Sequence, residues 1–287
     1  MQNYELIDSG NGRKLERFGP YTLSRPSSQA VWKPCLGKIA WDKASALFIR
    51  EGDTKWSYPH QPIPSEWTLQ TAGLIFKISP TEFGHLGIFP EQQNFWSWIQ
   101  NLVAKSNAKR GSAPSVLNLF AYSGGSTLAA AKSGARVCHL DASKGMVAWA
   151  RENAQLNHLE TAPIRWIVDD VTKFLLRESK RGNRYDAIIL DPPTFGRGSN
   201  GEIFKIEDSI TQLLAQCRQL LSENPLFVLF SCHTPGFTPI VMQHLLSQMM
   251  HGKKGLIDYG EMLLTGNLQT LPLPSGSYAR WIDEQYV

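Results

Sequence analysis

Apolar and polar positions along the chain change rhythm near residue 115. Beyond it, short apolar runs alternate with stretches whose apolar residues recur at helical spacing. Residues 116–120, 136–140, 164–168, 187–190 and 226–230 have the length of buried strands, and 255–264 and 278–282 complete that set. Between them, 126–132, 143–157, 171–179, 206–221 and 239–250 predict helices, the second with Ser143 as its N-cap. Strands alternating with helices of this size predict βαβ units, hence an α/β fold whose parallel sheet is covered on both faces.

Residues 1–90 read differently. Short β-like runs at 46–50 and 74–78 are separated by turn formers such as Ser9-Gly10-Asn11-Gly12 and Pro62-Ile63-Pro64. A small β-rich N-terminal domain is predicted there, with Trp32, Trp41, Trp56 and Trp67 as its core; platforms for unpaired bases are the alternative use of those rings. Residues 91–104 have helix-compatible spacing and lead into a polar, basic connector at 105–112, so the α/β domain is set at 91–287.

Charge adds one fact. Up to Arg110 there are 13 Lys and Arg against 9 Asp and Glu, while the remainder holds 16 of each. A basic appendage beside a neutral body suits a polyanionic partner, or serves solubility alone. The longest apolar runs fall far short of the ~20 residues needed to span a bilayer. The start Met-Gln-Asn-Tyr-Glu-Leu lacks the pattern of a secretory signal. Four widely spaced cysteines without a C-x-x-C pair argue against a zinc site or a disulfide framework and suit the reducing cytoplasm.

In open parallel sheets ligands bind beyond the carboxyl ends of the strands. Four predicted strands end in polar or glycine residues: Tyr122-Ser123-Gly124-Gly125, Asp141, Asp169-Asp170 and Asp191-Pro192-Pro193. A single acid after a strand is usually a helix cap; four such ends in succession point to one crevice. Two adjacent glycines do not build the three-glycine cradle that holds a dinucleotide pyrophosphate. Asp141, 17 positions after Gly124, stands near the offset of an acid that takes a ribose diol. A ligand with an adenosine ribose and no diphosphate fits both observations, and S-adenosyl-L-methionine is such a ligand.

The run from Val116 to Gly125, Val-Leu-Asn-Leu-Phe-Ala-Tyr-Ser-Gly-Gly, resembles motif I of the class I S-adenosylmethionine-dependent methyltransferases. With Phe89-Pro90-Glu91-Gln92-Gln93, Asp141-Ala142-Ser143, Asp170-Val171, Asp191-Pro192-Pro193-Thr194-Phe195 and Ser231-Cys232-His233, it is similar to the bacterial large-subunit rRNA methyltransferases that include the cytosine-5 enzymes. The resemblance covers residue 89 to the end and implies a Rossmann-like sheet, methyl transfer and, as the substrate, a base of ribosomal RNA. It implies that Phe120, Ala121, Tyr122, Ser123, Gly124 and Gly125 pass along the methionine part of the cofactor. Asp141, with Ala142 and Ser143, would hold the ribose hydroxyls. Asp170 would face the adenine amine and Val171 its ring, unless Asp170 serves as a helix N-cap. Asp191 and Pro192 would begin the loop where donor and acceptor meet, and Gln92 would help close the pocket. The N-terminal RNA-binding pattern that many such enzymes carry is absent.

Two chemistries remain open. Carbon 5 of cytosine is a poor nucleophile and is activated by adding a thiolate to carbon 6. Cys232, after the strand at 226–230, occupies the nucleophile position of the resembling enzymes, with Asp191 as the partner that hydrogen-bonds the base; the third residue, His233, departs from their Ser-Cys-Ser-like triplet, and packing is the ordinary role of such a cysteine. The rival is a nitrogen lone pair on guanine or adenine, held by a D/N-P-P-aromatic loop; here the aromatic, Phe195, comes one residue late. In either case Pro193, Phe195 and Arg197, with Gly198, would contact substrate, or form an apolar lid. A methyltransferase acting on a protein or small molecule, and a catalytically silent RNA-binding module, are the other readings.

Overall fold

The computed structural model describes residues 3–50, 55–197 and 203–287. Two units emerge, Met1–Gln93 with Met262–Ser275, and Asn94–Glu261 with Gly276–Val287. One segment departs from a simple cut near residue 90. Met262–Ser275 groups with the first unit, where the Leu6 N–H donates to the Thr265 carbonyl and the Thr270 hydroxyl to that of Ile7.

The first unit holds a five-stranded sheet in the order β1 (Tyr4–Gly10), β2 (Arg13–Phe18), β3 (Tyr21–Pro26), β4 (Ala46–Ile49) and β5 (Lys55–Ser57). A hairpin of β6 (Trp67–Thr71) and β7 (Leu74–Ile78) and a short helix α1 (Lys38–Asp42) complete it. The first three strands escape a hydrophobic-pattern reading because they bury charge. Glu16 is fully buried, accepting from Tyr4 Oη at 3.0 Å and pairing with Arg25 at 2.7 Å and Lys14 at 3.2 Å. Paired in this way a buried carboxylate is tolerated. The tryptophans are not the core. Trp32, Trp41, Trp56 and Trp67 are half-buried, each donating its indole N–H: to the Ser9 carbonyl, Asp8, the Thr81 carbonyl and the Phe18 carbonyl. The interior is made instead by Leu6, Leu15, Phe18, Leu23, Phe48, Leu69, Leu74 and Phe76. An indole with an N–H to satisfy fits the margin of a small unit better than its centre.

The second unit opens with α2 (Gln93–Arg110), preceded by a 3₁₀ turn at Pro90–Gln92. Its last turn runs through the expected connector because Arg110 has partners waiting: Tyr286 Oη, Asp186 and the Asn224 carbonyl. Then follow β8 (Ser115–Leu119), α3 (Gly125–Lys132), β9 (Arg136–Asp141), α4 (Lys144–Leu156), β10 (Ile164–Val168), α5 (Val171–Lys180) and β11 (Ala187–Leu190). A hairpin, β12 (Phe195–Arg197) and β13 (Ile203–Lys205), precedes α6 (Ile206–Leu220), β14 (Phe227–Cys232), α7 (Pro239–Met249), β15 (Gly255–Leu264) and β16 (Leu273–Asp283). Sheet order is β10-β9-β8-β11-β14-β16-β15, with β14 and β16 antiparallel and the first five strands parallel. This is the expected α/β, Rossmann-like class I methyltransferase sheet, accompanied by the small β-rich unit. One sheet face packs on α5, α6 and α7 through Phe174, Leu213, Leu214, Cys217, Met242 and Leu246. Among the described residues no helix is long and apolar enough to cross a membrane.

Candidate active site

Strand register builds the site. Ile167, Leu140, Leu119, Leu190 and Phe230 lie on one rung across the five parallel strands. The residues that follow them, Val168, Asp141, Phe120, Asp191 and Ser231, therefore emerge together at one edge. Strand order reverses between β8 and β11, so the turn after Leu119 and the loop after Leu190 flank the crevice of such a sheet.

The turn from Phe120 to Gly125 is strained. Phe120 and Tyr122 have φ of 54° and 49°, and Gly124, the N-cap of α3, has 91°. Left-handed conformations at two non-glycine residues cost about 1–3 kcal/mol each and persist only where surroundings impose them. The surroundings here are hydrogen bonds. Asp141 accepts the Tyr122 N–H at 2.9 Å on one oxygen and the Ser143 N–H at 2.8 Å on the other. Asn153 donates to the Ser123 carbonyl at 2.9 Å, and the Ala121 N–H donates to the Leu140 carbonyl. Burial raises the Asp141 carboxyl above its usual range, opposed by those two N–H donors. Each oxygen keeps a second lone pair, so Asp141 can hold its own turn and still accept from a diol.

The adjacent glycines serve packing first. A Cβ on Gly125 would lie 2.6 Å from the Trp96 ring of α2, and one on Gly124 would lie 3.1 Å from Ala150 Cβ. Beneath the turn runs a buried relay: Asn118 donates to Thr127 Oγ1 at 2.9 Å, which stands 2.9 Å from His139 Nδ1. Burial and then Arg151 hold His139 neutral, with a pKa of about 3.

Asp170 caps α5, accepting the Lys173 N–H at 3.0 Å, and Val171 is buried in the apolar cluster with Phe174 and Leu175. Asp169 takes the Asp170 N–H and pairs with Arg177. Ala142 and Ser143 are exposed, and the Ser143 hydroxyl accepts the Met146 N–H as the predicted N-cap. Gln92 belongs to the first unit, buried in its 3₁₀ turn.

Beyond β11, Asp191 Oδ1 lies 3.6 Å from His233 Nδ1, Pro192 is buried, and Pro193 and Phe195 are exposed. Thr194 and Thr234 meet hydroxyl to hydroxyl at 2.8 Å, tying the loop after β11 to that after β14. Cys232 ends β14 with 1% exposure, its sulfur accepting the Thr234 N–H at 3.4 Å. Burial pushes its thiol up; hydrogen bonding from Thr234 and the nearby His233 oppose that, and Asp191 adds to it. Gly198 and the side chain of Arg197 lie outside the described residues. The sequence assigns no site role to Trp96, Thr127, His139, Asn153, Thr194 or Thr234, because their roles depend on neighbours distant along the chain.

Comparison with known proteins bears on the family and the fold. The family model of S-adenosylmethionine-dependent methyltransferases matches residues 51–241. A methyltransferase crystal structure from Agrobacterium tumefaciens, described as S-adenosylmethionine-dependent, superposes with a TM-score of 0.93 at 37% identity, over 99% of this chain and 91% of that one. The ribosomal RNA large subunit methyltransferase I of Aeromonas hydrophila is 35% identical over 205 residues, 68% of this chain and 46% of the relative. The K/L enzyme of Hahella chejuensis is 31% identical over 60% of this chain and 22% of its own length. The chain thus spans about half or less of the curated relatives it matches.

Proposed function

The chain belongs to the S-adenosylmethionine-dependent methyltransferases, and on that premise we propose that it methylates a base of large-subunit ribosomal RNA, at cytosine C5 through Cys232. The residues fit the cofactor. Asp141 offers acceptors for two ribose hydroxyls, and an edge bearing Asp141, Asp169, Asp170 and Asp191 suits a cationic sulfonium and disfavours a pyrophosphate. Phe120, Ala121, Tyr122, Ser123 and Gly124 would line the methionine part, with Gly125 set back against Trp96. Asp170 would turn its remaining acceptor capacity to the adenine amine while capping α5. Gln92 is retained as a proposed cofactor contact on the resemblance alone.

One observation carries the base chemistry: Asp191 and Cys232 stand at neighbouring strand ends, and the Thr194–Thr234 bond fixes their loops to each other. The bound cofactor supplies an electrophilic methyl group. Cys232 would lose its thiol proton and add sulfur to C6, making C5 the nucleophile, while Asp191 hydrogen-bonds the base. Methyl transfer to C5 would leave S-adenosylhomocysteine, and loss of the C5 proton to water would then expel the Cys232 thiolate. Support for RNA comes from the names of the relatives and from the basic surplus before residue 110.

The buried, protonated thiol favours a second reading, attack by an exocyclic or ring nitrogen with Phe195 stacked on the base. One experiment separates them. Enzyme is incubated with methyl-labelled cofactor and unmodified large-subunit rRNA, and the RNA is digested to nucleosides. Label in 5-methylcytidine is the expected result. Label in a methylated guanosine or adenosine removes Cys232 from the chemistry, and no label in RNA redirects the assignment to a protein or small-molecule substrate.

A further inference from the structure

Phe195–Arg197 and Ile203–Lys205 form an antiparallel ribbon whose two faces differ. Phe195 pairs with Lys205, Gly196 with Phe204, and Arg197 with Ile203. Side chains alternate across a strand, so directly opposed residues share a face. Phe204 belongs to the inner face. Its ring lies 5.3 Å from that of Phe120, in the strained turn after β8, and both rest on the apolar core. The base of the ribbon is closed by the Ile206 N–H donating to the Thr194 carbonyl. Phe195, Ile203 and Lys205 occupy the other face, and all are exposed, Phe195 at 48% and Ile203 at 64%.

Two large apolar side chains therefore stand exposed beside a cation on an anchored ribbon. We propose that this outer face is the platform for an unpaired nucleotide, with the base stacked on Phe195 against Ile203 and its phosphate met by Lys205. The inference rests on the RNA reading above and deepens it by naming the surface. Charge complementarity commits it to RNA. A π face takes any base, an ammonium takes a phosphate, and single strands are bound by this pairing of aromatic and cation. The acids that follow, Glu207 and Asp208, stand in the first turn of α6, where the helix N-terminus favours them.

The full chain is titrated with a fluorescent 16-nucleotide single-stranded RNA and with the duplex of the same sequence, at several salt concentrations. Wild type is expected to prefer the single strand. Phe195→Ala should weaken that binding about tenfold or more, whereas Phe195→Tyr should keep it, because stacking survives. Lys205→Ala should weaken it more modestly and lower the salt slope by about one. Both alanine variants should bind S-adenosylhomocysteine as wild type does, which shows that the site remains folded. Wild type that binds RNA while Phe195→Ala and Lys205→Ala bind it equally well overturns the platform and leaves the RNA reading standing; the ribbon would then cover the cofactor or meet a protein. Wild type that binds no RNA, and labels none, overturns the RNA reading itself.

Discussion

Asp141 Oδ2 accepts the backbone N–H of Tyr122 at 2.9 Å, across two adjacent strand ends, and thereby holds a left-handed tyrosine in place. The same carboxylate is the proposed ribose acceptor. Removing it should cost the protein twice. Asp141→Ala leaves the Tyr122 and Ser143 N–H groups without their acceptor, a loss of about 1–3 kcal/mol in stability. It should also weaken S-adenosylhomocysteine binding by about a hundredfold or more. Calorimetric titration reads the second effect and urea unfolding the first. Asp141→Asn, which keeps one carbonyl oxygen, should fall between. Unchanged cofactor affinity in Asp141→Ala would remove this residue from the ribose site.

The centre of the α/β body was legible because both faces of β11 and β14 are buried, so the strands at 187–190 and 226–230 read as apolar runs bounded by turn residues. Asp141, Asp170 and Asp191 stood out for the same reason, as polar residues ending such runs. What stayed hidden depends on distant partners. Glu16 inside a strand reads as a surface acid until Arg25, Lys14 and Tyr4 are beside it. The ribbon at Phe195–Arg197 is three residues long, too short to show a period, and Trp96 reads as helix interior without revealing that Gly125 exists to receive it.

Gly125 provides the next test. A methyl group there would sit 2.6 Å from the Trp96 ring, and neither the ring nor the helix start can give way freely. Gly125→Ala should destabilise by about 1–3 kcal/mol through overpacking. Trp96→Leu should cost about 2–4 kcal/mol alone. In the double variant the added methyl occupies vacated space, so the cycle should show a favourable coupling of about 1–2 kcal/mol in urea unfolding. Strict additivity would mean that the two residues do not touch.

Thiol reactivity separates the four cysteines. Cys35 is exposed, whereas burial pushes Cys217 up to about 12 and, with Arg165 and Tyr185 opposing, Cys138 up to about 11; Cys232 is raised as well. Iodoacetamide at pH 7.5 on the native protein should label Cys35 first, read by mass spectrometry of the peptides. A raised thiol also fixes the sign for catalysis. If Cys232 is the nucleophile, its thiolate fraction grows about tenfold per pH unit below its pKa, so the single-turnover rate should climb from pH 7 to 9 and vanish in Cys232→Ser. A flat profile with activity kept in the variant would assign the chemistry to nitrogen.

Glu178 provides a test of how stability depends on pH. Its side chain is wholly buried in α5, with Tyr185 Oη at 2.6 Å, Asn183 Nδ2 at 2.8 Å and Arg165 at 3.1 Å. Burial alone would raise its carboxyl, but the hydroxyl, the amide and the guanidinium outweigh it and hold the group below the usual 4.5. A carboxylate whose folded pKa is depressed stabilises the protein above its unfolded value, and that contribution is lost as pH falls through the folded value. Glu178→Gln should therefore cost about 2–3 kcal/mol at pH 7, from the loss of charge-assisted hydrogen bonds. The gap between wild type and variant should hold steady down to about pH 4.5 and narrow below it. Urea unfolding at a series of pH values measures the gap directly. If it instead widened as the solution became more acidic, Glu178 would have to be protonated in the native state, and the network around it would be a set of neutral hydrogen bonds.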